Sequence, residues 1–210
     1  MTLSELEGEP AAAAQLFGER IVLAREFAGA LAEHGEERGL IGPLELPRLW
    51  TRHILNCAVV APLLRPGLVG DVGSGAGLPG IVLAIARPDV DFVLIEPMDR
   101  RVTWLNEQVQ ALGLRNVSVL RARSQETGRE GEFSQVTARA VSGLSKLIPM
   151  TAPLLRPAGE LVLMKGAGAE KEIEAASKVV RRFRLRDVEV VTLGDGVLDE
   201  VTRVVRATVE

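Results

Sequence analysis

The stretch Asp71-Val72-Gly73-Ser74-Gly75-Ala76-Gly77-Leu78-Pro79-Gly80 constrains this chain more than any other, because it joins an apolar strand to the start of a helix through a glycine-rich turn. Gly67-Leu68-Val69-Gly70 leads in, and Ile81-Val82-Leu83-Ala84-Ile85-Ala86 leads out. Pro79 suits the first helical turn, where its missing N–H would be unbonded anyway. Glycine permits positive φ in such a turn and lets a ligand approach the backbone with no Cβ in the way. A strand, a glycine turn and a helix in this order belong to an α/β sheet and place a nucleotide-like cofactor at the strand's carboxyl end.

The glycine spacing alone serves two cofactors. Gly75-x-Gly77-x-x-Gly80 matches the dinucleotide fingerprint, and Glu96, about twenty residues further on, ends a second strand, Asp91-Phe92-Val93-Leu94-Ile95, where a ribose-binding acid belongs. Three features favour S-adenosylmethionine (SAM) over NAD. Asp71 opens an Asp-x-Gly-x-Gly-x-Gly pattern, and an anion there suits a ligand carrying an ammonium and a sulfonium better than one carrying a pyrophosphate. The chain after residue 140 is short for a second full nucleotide-binding half plus a substrate domain. Its last two strand patterns, Leu185 to Leu193 and Val201 to Val209, flank Gly194-Asp195-Gly196 and read as an antiparallel hairpin at the sheet edge, an ending similar to that of SAM-dependent methyltransferases. On this reading Gly73, Gly75 and Gly77 floor the cofactor, Asp71 faces its positive end, Leu78 flanks it, and Glu96 accepts hydrogen bonds from the ribose hydroxyls.

From residue 67 onward strand and helix patterns alternate, which argues for a mostly parallel sheet covered on both faces. Strands are predicted near 117–120, 135–138 and 160–164, and helices over 98–112, from Leu144 with breaks at Pro149 and Pro153, and across Ile173, Ala176, Val180 and Phe183. Ahead of the sheet, the stripe Leu16, Leu23, Phe27, Ala30 and Leu31 predicts a helix over 11–34, and a second is predicted over 45–60. The expected division is therefore an N-terminal helical cap, 1–65, and a cofactor-binding domain, 66–210.

Composition narrows the function class. One cysteine, Cys57, allows no intrachain disulfide and no cysteine-cluster zinc site, and neither of the two histidines has a partner at metal-ligand spacing, so no metal is expected. Met1 to Pro10 is acidic, without the basic and apolar regions of a secretory leader, and no apolar run reaches membrane-span length. A cytoplasmic enzyme that does not bind membranes is the expectation. The net charge of −3 does not mark a nucleic-acid binder, so RNA contact would have to come from a local patch. Arg181, Arg182, Arg184 and Arg186, interleaved with Phe183 and Leu185, form the densest basic cluster. Leu46, Leu49, Trp50, His53, Cys57 and Val60 fall on one helical stripe, which reads His53 as a core histidine and Cys57 as a core thiol. Trp50 and Trp104 read as packing anchors.

Arg52-His53-Ile54-Leu55-Asn56, the Asp71 to Gly80 turn, Arg123 in Arg-Ala-Arg-Ser-Gln-Glu, Ala138-Arg139-Ala140 and Leu163-Met164-Lys165-Gly166 stand in the order and spacing of the RsmG (GidB) family of small-subunit ribosomal RNA (guanine-N7) methyltransferases, which this chain resembles from about residue 50 to 205. The resemblance implies a Rossmann-like class I SAM-dependent methyltransferase fold with a seven-stranded sheet, mostly parallel with an antiparallel last strand. It also implies SAM as cofactor, S-adenosylhomocysteine as product, and 16S ribosomal RNA or the small ribosomal subunit as partner, met by a monomer. By family position Ser124 and Gln125 lie near the adenine, although relatives generally carry an acid at the second place and Glu126 offers one after a one-residue shift. Arg139 and Lys165 are placed as positioning groups at the reacting nucleotide, with Arg139 also at the cofactor. His53, Arg123, Arg139, Lys165 and Arg203 are placed on the RNA.

Guanine N7 carries an in-plane lone pair, so its attack on a sulfonium methyl needs no proton removed, and holding the three reacting atoms in line is the main task. A catalytic triad is accordingly not expected. Alternatives left open are a SAM-dependent methyltransferase for a small molecule or protein, a SAM- or nucleotide-binding module without turnover, and an NAD-dependent oxidoreductase.

Overall fold

The computed structural model describes residues 6–210; Met1–Glu5, the first half of the acidic segment read as lacking a leader, lie outside the described residues. The helix expected over 11–34 is two helices, α1 (Ala12–Phe17) and α2 (Ile21–His34), broken at Gly18, where φ is +53°. The helix expected over 45–60 is a π-helix, Leu49–Leu55, continued by the short α3 (Asn56–Ala58). Its apolar stripe still turns inward, with Leu49, Trp50, Ile54 and Cys57 buried.

The sheet follows as β1 (Leu68–Val72), α4 (Gly80–Ala86), β2 (Asp91–Ile95), α5 (Asp99–Ala111), β3 (Val117–Leu120), β4 (Phe133–Arg139), α6 (Leu144–Thr151), β5 (Leu155–Lys165), α7 (Ala169–Ala175), α8 (Ser177–Arg182), β6 (Leu185–Leu193) and β7 (Thr202–Val209). The strand order is β3-β2-β1-β4-β5-β7-β6, parallel throughout except for β7, which runs antiparallel to both neighbours. The closing hairpin is thus half interior: β7 inserts between β5 and β6, and only β6 lies at the edge. Of the breaks expected at Pro149 and Pro153, only the second is found: Pro149 lies inside α6, and Pro153 falls where α6 gives way to a 3-10 turn, Ala152–Leu154.

The sheet's two faces bury separate cores. On one side Val69, Ile81, Leu83, Phe92, Leu94 and Trp104 pack continuously with Phe27, Leu31, Leu49, Ile54 and Leu55. The N-terminal helices are therefore a structural layer of the sheet's own core. On the other side Val136, Leu161 and Leu163 pack against Leu144, Leu147 and Ile148 of α6 and Ala176 between α7 and α8. β1 pairs with β2 on one flank and β4 on the other, so the strand order reverses there, and a crevice opens at the carboxyl ends.

Candidate active site

The turn after β1 is held by its own backbone. Gly73 donates its N–H to the Ile95 carbonyl (2.8 Å), carrying the chain across to the end of β2. Its φ is +71°, and a Cβ there would fall 2.8 Å from a Val141 methyl, so both conformation and space demand glycine. Trp104 supports the turn from beneath by donating its Nε1–H to the Ala76 carbonyl (3.0 Å), which is the packing role expected of it. Helix α4 begins at Gly80, with Pro79 just ahead of it rather than within its first turn.

Asp71 departs from its expected role. It is fully buried, with Oδ2 accepting the Gly80 N–H (3.1 Å) and Oδ1 the Thr137 hydroxyl (3.1 Å). Burial raises its pKa from 3.8 to about 6, against the opposing hydrogen bonds. The carboxyl sits under the turn and ties it to α4 and β4; it presents no surface to a ligand. Gly80 is small for the same reason, since a Cβ would stand 2.5 Å from Asp71 Oδ2 and 2.3 Å from Leu94 Cδ2.

Above the turn lies a cavity of ≈ 510 Å³ walled by Gly73, Glu96, Met98, Arg123, Ser124 and Gln125, among others. Glu96 is 2% exposed. Its Oε2 accepts the Gly75 N–H (3.0 Å) and its Oε1 the Met98 N–H (2.9 Å). Each oxygen keeps a lone pair free, so the residue suits two ribose hydroxyls. The Ser124 hydroxyl and the Gln125 amide, hydrogen-bonded to each other (3.1 Å), bring donors and acceptors to the far wall, while Glu126 is not part of the lining. A carboxylate for a sugar, polar groups for a base edge and a glycine floor fit the adenosine part of SAM. Arg101, which sequence reasoning missed, reaches this cavity from α5. Its Nη1 lies 4.0 Å from Glu96 Oε2, and its Nε is buried with no hydrogen-bond partner among the described residues.

The other half of the crevice is organised around Arg139 at the end of β4. Its Nη1 donates to the His53 carbonyl (3.4 Å) and to Cys57 Sγ (3.1 Å), and its Nη2 donates to the Arg52 carbonyl (3.1 Å) and to His53 Nδ1 (3.0 Å). Because guanidinium only donates, Nδ1 is an acceptor here, and His53 Nε2 carries the hydrogen given to Glu45 Oε2 (2.6 Å). Burial, reinforced by the Arg139 charge, lowers the His53 pKa below its usual value. Glu45 is held below the usual carboxylate range: burial would raise it, but hydrogen bonds from Arg48 and His53 outweigh that. Burial raises the Cys57 thiol, as a core cysteine should behave. His53 is 9% exposed with both ring nitrogens engaged, so it lacks the free ring expected of an RNA contact and acts as a link inside the protein.

Lys165, expected as a positioning group on the RNA, has its charge already engaged within the protein. Its Nζ pairs with Glu172 Oε2 (2.7 Å) and donates to the Ser142 carbonyl (2.9 Å), and the side chain is only 10% exposed. The same Glu172 oxygen accepts the N–H of Leu144 (3.0 Å), so α7 closes over this strand end and neutralises the ammonium. Lys165 and Arg203, register partners on β5 and β7, line a second cavity of ≈ 680 Å³ together with Arg52, Asn56 and Arg139. Arg123 stands apart from them, on the wall of the first cavity. A third cavity joins the glycine turn to Glu45, Arg52, His53 and Arg139. The Arg181 to Arg186 cluster lies elsewhere. Leu185 pairs with Val209 at the opposite end of β7 from Arg203, roughly 20 Å away at about 3.3 Å per residue.

A glycine turn beside a buried carboxylate at the end of the second strand, on a sheet of this topology, defines a class I SAM-dependent methyltransferase. TYW2 from M. jannaschii, solved in complex with AdoMet, shares the fold with a TM-score of 0.60 over 74% of each chain at 20% identity. The profile of the GidB family, described as rRNA small subunit methyltransferase G, matches residues 20–200. Relatives named ribosomal RNA small subunit methyltransferase G are 70% identical in Leifsonia xyli, over 97% of this chain and 98% of theirs, and 68% identical in Clavibacter michiganensis, over 97% of each. The chain belongs to this family, and SAM is its cofactor.

Proposed function

We propose that this chain transfers the methyl group of SAM to N7 of one guanine in the decoding-region loop of 16S ribosomal RNA, acting as a cytoplasmic monomer on the small ribosomal subunit. The observation that carries the reaction type is the state of two titratable groups beside the glycine turn, Asp71 and His53, the third, Glu96, being assigned to the ribose. Asp71 is enclosed beneath it, and the His53 ring gives its one hydrogen to Glu45 and takes one from Arg139. Neither is arranged to take a proton from a substrate, which suits a nucleophile with a ready lone pair.

SAM supplies an electrophilic methyl on a sulfonium. The protein's part is orientation: Gly73, Gly75, Gly77 and Leu78 beneath the cofactor, Glu96 on the ribose, Ser124 and Gln125 on the adenine. Arg139 fixes the wall at which the guanine arrives, and Arg123 and Arg203 offer charge to the RNA backbone. The relatives' printed names supply the substrate class. No helix among the described residues is long and apolar enough to cross a membrane.

The test is transfer of labelled methyl from SAM to small subunits from a strain lacking this protein, with the modified base mapped. Label on one guanine N7 is expected. Label on no RNA, with SAM bound, would move the reading to a small-molecule or protein substrate.

A further inference from the structure

The third cavity, which joins the glycine turn to Glu45 and His53, and the larger one beside Lys165 and Arg203 share only three lining residues, Arg52, Arg139 and Ala140. A group passing from substrate side to cofactor side goes by these two guanidinia. They are not equivalent. Both hydrogens on each terminal nitrogen of Arg139 have protein acceptors, leaving Nε–H alone. Arg52 has no side-chain hydrogen bond among the described residues. Its nearest charge is Glu45 Oε2, 3.6 Å from Nε, and its side chain is 49% exposed. Its backbone, by contrast, is pinned, because the Arg52 carbonyl is one of the acceptors that hold Arg139.

The π-helix accounts for this division. A π turn departs from the α-helical hydrogen-bond pattern and recurs at functional sites. Here the carbonyls of Arg52 and His53 both accept from Arg139. Glu45 then backs His53 from outside. The result is a pinned backbone carrying a half-exposed guanidinium with no side-chain hydrogen bond among the described residues, paired only with Glu45 at 3.6 Å, at the junction of the two cavities.

Resting on the RNA reading above, we propose that Arg52 is the residue that binds the target nucleotide at this junction, through an anionic phosphate oxygen, while Arg139, His53 and Glu45 are positioning residues that fix the turn presenting it. A guanidinium suits a phosphate because its paired N–H groups match two oxygens at once.

The experiment compares wild type with Arg52→Gln, Arg52→Lys, His53→Ala and the Arg52→Gln/His53→Ala double variant. It measures SAM dissociation by calorimetry and methyl transfer to small subunits over a range of salt. For Arg52→Gln the expected result is about a tenfold or greater loss in kcat/KM for subunits with SAM affinity unchanged, and a salt slope shallower by about one unit, as loss of one phosphate contact requires. Arg52→Lys should recover part of the loss, because a point charge serves a phosphate. His53→Ala should lower kcat/KM in wild type and add little in the Arg52→Gln background, since one residue acts through the other. A wild-type salt slope and kcat/KM in Arg52→Gln overturn the proposal, as does a loss arising wholly from weaker SAM binding, which would make Arg52 a cofactor ligand. Subunits left unlabelled by the wild type would refute the RNA reading first, and this assignment with it.

Discussion

The two halves of the crevice handle charge in opposite ways. Around the glycine turn backbone N–H groups do the donating: Gly73 to the Ile95 carbonyl, Gly75 and Met98 to the Glu96 carboxylate, Gly80 to that of Asp71. Around Arg139 and Lys165 the donors are side-chain cations, held by the His53 ring and two carbonyls of the π-helix in one case and by Glu172 in the other. The first arrangement is stiff before any ligand arrives, which lowers the ordering cost of binding a small cofactor. The second engages Arg139 and Lys165 and leaves Arg52, 3.6 Å from Glu45, and Arg203 without side-chain hydrogen bonds among the described residues. Arg52 stands out because, of these two, it alone also lines the cavity at the glycine turn.

The largest effect should come from filling the backbone half. Gly80→Ala places a methyl against Leu94 and Asp71, and overpacking of this kind costs about 3 kcal/mol, read as a fall of roughly 10 °C in the thermal midpoint. A variant melting with the wild type would show the turn to be soft. Asp71 tests the same half through pH. Its folded pKa of about 6 lies above the ordinary 3.8, so its contribution is greatest below pH 4 and is lost as pH rises through 6. Going from pH 4 to 7 should therefore cost the wild type about 3 kcal/mol more than it costs Asp71→Asn, in paired urea titrations. Parallel pH profiles would mean that the carboxyl titrates normally.

Glu96→Ala comes next, removing the ribose acceptor and the partner of two backbone donors. SAM affinity should fall by at least tenfold, about 1.5–3 kcal/mol for hydrogen bonds to a charged group. Calorimetry showing wild-type affinity would remove the carboxylate from the cofactor site. In the other half, Glu172→Gln uncouples Lys165 and should lower stability by about 1–2 kcal/mol while leaving SAM affinity alone, which separates the halves directly. A matching loss of SAM affinity would show that they are coupled. The smallest effect is expected at the distant cluster. Arg181→Gln should leave SAM binding intact and reduce the salt slope of subunit binding by about one unit if that face meets phosphates; an unchanged slope marks it as solvated surface.

Much of the backbone half was legible in the sequence, because its parts are close along the chain. The glycine turn, Glu96 at the end of the second strand and the helix that follows recur at spacings dictated by a βαβ unit. Even there Asp71 was misread: its place in the pattern says that an anion is needed, and only its burial says that the anion serves Gly80 and Thr137. The side-chain half was far less legible. His53 lies on an apolar stripe, which correctly marks it as inward-facing, yet nothing local links it to Arg139, 86 residues away. The motifs place Lys165 on the RNA, and they do not reveal that Glu172 neutralises it, since the two meet only when α7 folds back over the end of β5.

Taken alone, the sequence determined the alternation of strands and helices, the glycine turn, the acid at the end of the second strand and, through its motifs, the family, because these depend on local periodicity and on steric rules for glycine. Only the tertiary structure decided which charges are free. Whether a cation is available to a ligand depends on which carbonyls, rings and carboxylates surround it after folding. In this protein those partners come from the π-helix, from β4 and from α7, segments that no local pattern brings together.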